Sequence, residues 1–96
     1  MAVKILIKRN IPENRVKDLM PFFKQLRTLA MSQSGYISGE TLRRLDRPGQ
    51  YIVISTWQTM DDWRRWVLSK QRKEIQDLID SMLGQATEYE VYEYAH

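Results

Sequence analysis

The chain contains no cysteine and only one histidine, which is its last residue, His96. The missing thiol excludes disulfides, thiolate metal sites and cysteine nucleophiles. With the imidazole confined to the terminus, histidine general-base chemistry and Ser-His-Asp hydrolysis are poorly supported. Glycine occurs four times and proline three, and no glycine-rich phosphate loop is present. No apolar run approaches the roughly 18 residues that a membrane helix needs, and the Ile5-Leu6-Ile7 stretch is too short for the core of a signal peptide. These features imply a cytoplasmic protein with no membrane partner. No metal-spaced cluster of side chains is present either, so no metal is expected.

Length and charge narrow the field further. Ninety-six residues correspond to a single domain, 1–96, with a thin core that association would help to cover. The net charge is +3, and the cations are scattered over Arg43, Arg44, Arg47, Arg64, Arg65, Lys70, Arg72 and Lys73. A nucleic-acid binder needs a denser basic face with interleaved aromatics, so no nucleic acid is expected.

Periodicity sets the element order. Val3, Ile5 and Ile7 alternate within Val3 to Lys8 and predict a strand. From Glu13 to Gln33, Val16, Leu19, Phe23, Leu26 and Ala30 recur at three and four residues, which predicts an amphipathic helix. Pro21 inside it predicts a kink near Met20 or a late start to the regular helix. Tyr36 to Leu45 and Tyr51 to Trp57 form a hairpin about Asp46-Arg47-Pro48-Gly49. The second of these strands is rich in β-branched and aromatic residues and is expected to be central. Thr59, with Asp62 three residues on, caps a helix carrying Met60, Trp63, Trp66 and Val67. Ile75, Leu78, Ile79, Met82 and Leu83 mark a second helical stretch, ended by Gly84. Thr87 to Tyr94 alternates as the last strand. The β-α-β-β-α-β order is the ferredoxin-like α+β arrangement, an antiparallel sheet with its helices on one face. Apolar residues on both sides of several strands then call for a homodimer to cover the open face.

All three tryptophans fall in the ten residues WQTMDDWRRW, from Trp57 to Trp66. Trp63 and Trp66 share one helix face. Each tryptophan can either fill the core or wall a small pocket. Asn10, at the mouth of the first strand, is either a turn residue or an amide donor to a developing oxygen anion. Arg43 and Arg44 alternate, so one of them faces inward to a ligand or toward a dimer partner, or forms an inter-subunit or cross-strand pair with Glu88 or Glu90. Tyr92 either contacts an aromatic ligand or joins a dimer interface.

The stretch GYISGETLRR, the strand YIVISTW, the helix start DWRRW and the closing TEYEVYEY together resemble the antibiotic biosynthesis monooxygenase family, over Val3 to Tyr94. The resemblance implies a dimeric α+β barrel. Members of this family oxygenate polycyclic phenols or anthrones without metal, flavin or haem, oxidise quinols, or degrade haem. By this resemblance Trp66 matches a pocket-wall tryptophan. Asn10 and Trp66 are then the candidate catalytic residues, with Trp57, Trp63, Arg43 and Tyr92 around an aromatic substrate. The haem branch uses an asparagine late in the first strand and a histidine beyond the tryptophan. Those positions fall on Ile7 and Gln76 here, which speaks against haem.

Overall fold

The computed structural model describes residues 1–96. The chain runs β1 (Val3–Asn10), α1 (Glu13–Met31), β2 (Tyr36–Arg43), β3 (Gln50–Trp57), α2 (Met60–Val67), α3 (Lys70–Leu83) and β4 (Glu88–Glu93). The strands form one antiparallel sheet in the order β2-β3-β1-β4. The fold is thus ferredoxin-like, as expected, with β3 central. The two helical stretches that follow β3 in the sequence are two separate helices, so the full order is β-α-β-β-α-α-β. They are separated at Leu68-Ser69, where the Ser69 hydroxyl accepts from the Arg72 backbone N–H and restarts the ladder as an N-cap.

Helix α1 is continuous from Glu13 to Met31 with Pro21 inside it. Pro21 is exposed and Lys17, four residues earlier, is exposed with it. The Lys17 carbonyl that proline leaves without a donor therefore faces water, and the helix survives.

Strand alternation decides which side chains meet the helices. Val3, Ile5, Ile7 and Arg9 of β1 stand opposite Trp57, Ser55, Val53 and Tyr51 of β3. Tyr89 and Val91 of β4 share this side. Val3, Ile5, Trp57 and Trp66 form one buried cluster beneath Leu26, Leu29 and Ala30 of α1. Ile11, Leu19, Ile75 and Ile79 form a second, where α1 meets α3. The opposite sheet face carries Leu6, Ile52 and Ile54, half-buried, beside exposed Leu42 and the Lys8–Glu90 ion pair. No helix covers that face. No helix is long and apolar enough to cross a membrane.

Gly35 joins α1 to β2 with φ +87°, and its carbonyl accepts from Gln58 N–H at 2.7 Å. A Cβ placed there would overlap the Asp62 carboxyl group and lie 2.5 Å from the Asp62 Cβ. Asp62 cannot withdraw easily. It is buried, its backbone N–H donates to the Thr59 hydroxyl at 3.1 Å, and its carboxylate is held by Thr59 and Arg65. Gly35→Ala therefore combines left-handed strain with overpacking. It should destabilise the protein by about 2–4 kcal/mol, a fall in Tm of roughly 10 °C or more. Thermal melts of the two proteins check this, and an unchanged Tm would contradict the close approach.

Candidate active site

Between α1 and the sheet lies a cavity of about 390 Å³. Its floor is the inner face of β1, β2 and β3, with Ile7, Val53 and Thr41 exposed to it. Its roof is the α1 stripe of Val16, Met20, Phe23 and Leu26. One end is closed by Trp63 and Trp66 from α2 above Trp57, the other by Arg72 and Gln76 from α3 beside Tyr89.

The aromatic end is rigid. The indoles of Trp57 and Trp66 stack at 6.4 Å between centroids, 23° apart in plane. Tyr36 meets Trp57 edge-on at 5.4 Å and 88°. Such pairs contribute about 0.5–1.5 kcal/mol beyond area burial. The Trp57 indole N–H donates to the Ser55 hydroxyl at 3.2 Å, so this side chain has its polar atom satisfied inside the fold. The choice between core and wall resolves into both roles. Trp57 and Trp66 are 1% and 7% exposed, and each also borders the cavity, as does half-buried Trp63. Trp66 and Trp63 reach it because they are three residues apart on one short helix, which Thr59 caps.

The other end is polar. Arg9 Nη2 donates to Gln76 Oε1 at 3.1 Å, and its guanidinium lies 4.9 Å from the Phe23 ring centroid. Arg72 is buried and donates Nη1 to the Val67 carbonyl at 3.0 Å and Nη2 to the Tyr89 hydroxyl. Gln76 Nε2 donates to Asp80 and to Thr87, each at 2.8 Å, and the Thr87 hydroxyl donates to the same Asp80 oxygen at 2.7 Å. Burial pushes the Arg9 guanidinium below its ordinary pKa; Tyr89 and Asp80 pull it back up, and Arg72 pushes it down again. It remains a cation at any ordinary pH. Burial likewise raises the Tyr89 phenol, against the pull of Arg72 and Arg9.

Three anticipated site residues lie elsewhere. Asn10 follows Lys4, Leu6 and Lys8 on the side of β1 that faces away from the helices. It is exposed and borders a shallow groove at the sheet rim, and its carbonyl accepts from Gln85. Arg43 ends β2 at the same groove, exposed. Its expected partners Glu88 and Glu90 are on β4, at the opposite edge of the sheet, so no cross-strand pair forms. Tyr92 is 50% exposed on the open face and donates to Glu90 at 3.1 Å. Strand parity excludes it from the cavity, because Tyr89 and Val91 take the inner side.

Arg9, Arg72, Gln76 and Tyr89 form the polar end instead. The sequence reading missed them. Parity could have found Arg9, which continues Val3, Ile5 and Ile7, and helical spacing Arg72, which shares a face with Ile75, Gln76 and Ile79. No three His, Cys, Asp or Glu side chains come together as a metal cluster. Haem does not fit the residues present. Ile7 and Gln76 occupy the positions that branch requires, and Gln76 is fully engaged with Arg9, Asp80 and Thr87.

The raised Tyr89 pKa has a definite consequence for stability. Below about pH 10 the phenol is neutral in both folded and unfolded chains. Above that, the unfolded chain ionises first, so stability falls as pH rises through the folded value. Thermal melts between pH 8 and 11 should show a shallower alkaline loss for Tyr89→Phe than for wild type. Identical slopes would mean that the phenol is not desolvated.

Sequence and structure comparisons agree with this architecture. A family model described as antibiotic biosynthesis monooxygenase matches residues 2–78. No functionally curated protein matches the chain. Among solved structures, a conserved protein from Methanosarcina mazei Go1 superposes with a TM-score of 0.87 at 22% identity, covering 97% of this chain and 92% of its own. SnoaB, a cofactor-independent oxygenase from Streptomyces nogalater, gives 0.83 at 16% identity, covering 99% and 94%. Rv0793 from Mycobacterium tuberculosis gives 0.86 at 10% identity, covering 100% and 97%. At these identities the structural matches speak for the fold. With the family model spanning most of its length, the chain belongs to the antibiotic biosynthesis monooxygenase family.

Proposed function

We propose that the protein is a cofactor-independent monooxygenase that oxidises a quinol or a polycyclic phenol or anthrone in the cavity between α1 and the sheet. The observation that carries this reading is the cavity itself, a slot of about 390 Å³ whose one end is a fixed stack of indoles. A planar, electron-rich ring system fits such walls by stacking. The similarity of the fold to SnoaB, a cofactor-independent oxygenase, supports it further.

The reaction needs little from the protein beyond positioning. An anthrone is acidic at its ring methylene, and loss of that proton leaves a delocalised carbanion. The anion passes one electron to dioxygen, the radical pair joins at carbon, and the peroxide takes up a proton. Loss of water then leaves a carbonyl. One oxygen atom ends in the product and the other in water. A quinol instead loses two electrons and two protons to dioxygen, giving a quinone and hydrogen peroxide. Trp66, Trp57 and Trp63 would hold the ring and exclude water. Donors at the polar end would hold a negatively charged or polar group of the substrate and so fix the ring's orientation.

Oxygen uptake by the purified protein across a panel of hydroquinones and anthrones tests the proposal, against a no-protein blank corrected for autoxidation. Uptake above the blank should fall about tenfold or more in Trp66→Ala, the loss expected when a positioning wall is removed. Uptake equal to the blank for every compound would overturn the oxygenase reading in favour of a non-catalytic dimeric module that binds an aromatic metabolite, which ligand-dependent tryptophan quenching without turnover would identify.

The same reading pairs two copies of the chain by their open sheet faces, where Leu6, Ile52 and Ile54 lie together. Sedimentation equilibrium should then give twice the 11.5 kDa chain mass, and Ile54→Glu should yield a folded monomer. A monomeric wild type at micromolar concentration would overturn the pairing.

A further inference from the structure

The two guanidiniums at the polar end of the cavity have no counter-ion. The chain has four ion pairs, Lys8–Glu90, Arg44–Asp46, Arg64–Asp61 and Arg65–Asp62, and neither Arg9 nor Arg72 belongs to one. Arg72 spends its donors on a carbonyl and a phenol, both neutral. Arg9 has a single hydrogen bond, to an uncharged amide, and its Nε is buried with no acceptor. Asp80 is the carboxylate whose charge reaches Arg9, yet its bonded oxygen accepts from Gln76 and Thr87 rather than from a guanidinium. The remaining charged side chains at the cavity are Lys24 and Arg27 at the exposed rim of α1, both cations. Glu40 of β2 pairs with Ile54, so its carboxylate stands on the open side of the sheet.

A guanidinium withdrawn from water is costly unless paired. Two of them in one cavity also repel each other. The chain has 12 carboxylates and brings none of them to either guanidinium as a partner. The aromatic faces of Phe23 and Tyr89 offset part of the cost, at 4.9 and 5.3 Å from the Arg9 and Arg72 carbons. They do not supply an anion. A bound acid would. A carboxylate is the matching shape, because its two oxygens accept in parallel from a planar fork.

We infer that the cavity takes an aromatic carboxylate, with its ring system against Trp57 and Trp66 and its carboxylate between Arg9 and Arg72. The inference rests on the aromatic-pocket reading above and adds the substrate's charge to it. The acid end anchors the ring and fixes which edge points toward the tryptophans. A neutral quinol of the same size has one oxygen to offer and leaves the second guanidinium unpaired.

Isothermal titration of the full chain with anthraquinone-2-carboxylate and with its primary amide separates the possibilities. The two probes share ring, size and planarity and differ in charge. The carboxylate should bind about tenfold or more tightly than the amide, as a charge-assisted pair in a desolvated site requires. That preference should vanish in Arg9→Met and be partly kept in Arg9→Lys. Melting curves by circular dichroism establish that the variants are folded. Arg9→Met is the cleaner probe, because Arg72 also holds the Val67 carbonyl. Equal binding of the two probes would overturn the charge inference and leave the aromatic pocket standing. A preference that persists in both Arg9→Met and Arg72→Met would assign the acid to the rim cations and overturn it also. Binding of neither probe would bring down both the inference and the pocket reading on which it rests.

Discussion

The stack of Trp57 on Trp66 ties four elements together. Trp57 ends β3, pairs in register with Val3 of β1 and is crossed edge-on by Tyr36 of β2. Trp66 lies on α2, so the contact fixes that short helix to the sheet at a distance set by two indoles rather than by aliphatic side chains. Eight residues of helix have little stability of their own. The Thr59 cap and this stack are what hold α2. Because α2 runs through Leu68 and Ser69 directly into α3, its placement also sets where α3 begins, and with it Arg72. The cavity's aromatic end and its polar end are therefore linked through one continuous piece of backbone. The bulk of the indoles keeps that end of the helical layer propped above the sheet.

Much of this was legible from residue spacing. The period-two pattern of β1, the hairpin around Pro48-Gly49 and the apolar repeat of α3 each gave their element and its type, and the Thr59 cap was read at the right residue. Boundaries shifted by a few residues, as with β2, which ends at Arg43 rather than Leu45. Ends depend on hydrogen bonds to neighbours that local sequence does not encode. The two helical stretches after β3 are separate in the sequence pattern, but the residue at which they part is not, since Ser69 looks like an ordinary polar helix residue until its hydroxyl is found capping Arg72.

The site was half legible. Tryptophans advertise themselves by size, and their helical spacing placed two of them on one face. Asn10 stands out by its place at the mouth of β1 and Tyr92 as one of the tyrosines of β4, and for both of these parity governs; Arg43 pairs with Tyr51 on the helix side but sits exposed at the end of β2, clear of the cavity. Asn10 and Arg9 are neighbours, yet they point to opposite sides of the sheet. Tyr92 and Tyr89 differ in the same way. The alternation of Val3, Ile5 and Ile7 reaches Arg9 only when the strand is carried past its expected end at Lys8 to Asn10. A charged residue continuing a row of Val3, Ile5 and Ile7 is the kind of local inconsistency that marks a functional position.

That inconsistency has an energetic reading. A structure selected for stability alone would place methionine or leucine at Arg9 and Arg72, since well-packed apolar groups of similar volume are often neutral or stabilising relative to buried charge. The chain instead keeps both cations, lines them with aromatic faces and gives them neutral acceptors that satisfy only some of their donors. Gln76 is central to this arrangement. Its oxygen accepts from Arg9 while its nitrogen donates to Asp80 and Thr87, so the amide orients Arg9 without neutralising it. A glutamate at position 76 would quench Arg9 within the fold, and the cavity would lose its unpaired positive charge. An amide there holds the guanidinium in place and leaves its charge available to whatever occupies the space beside Trp66.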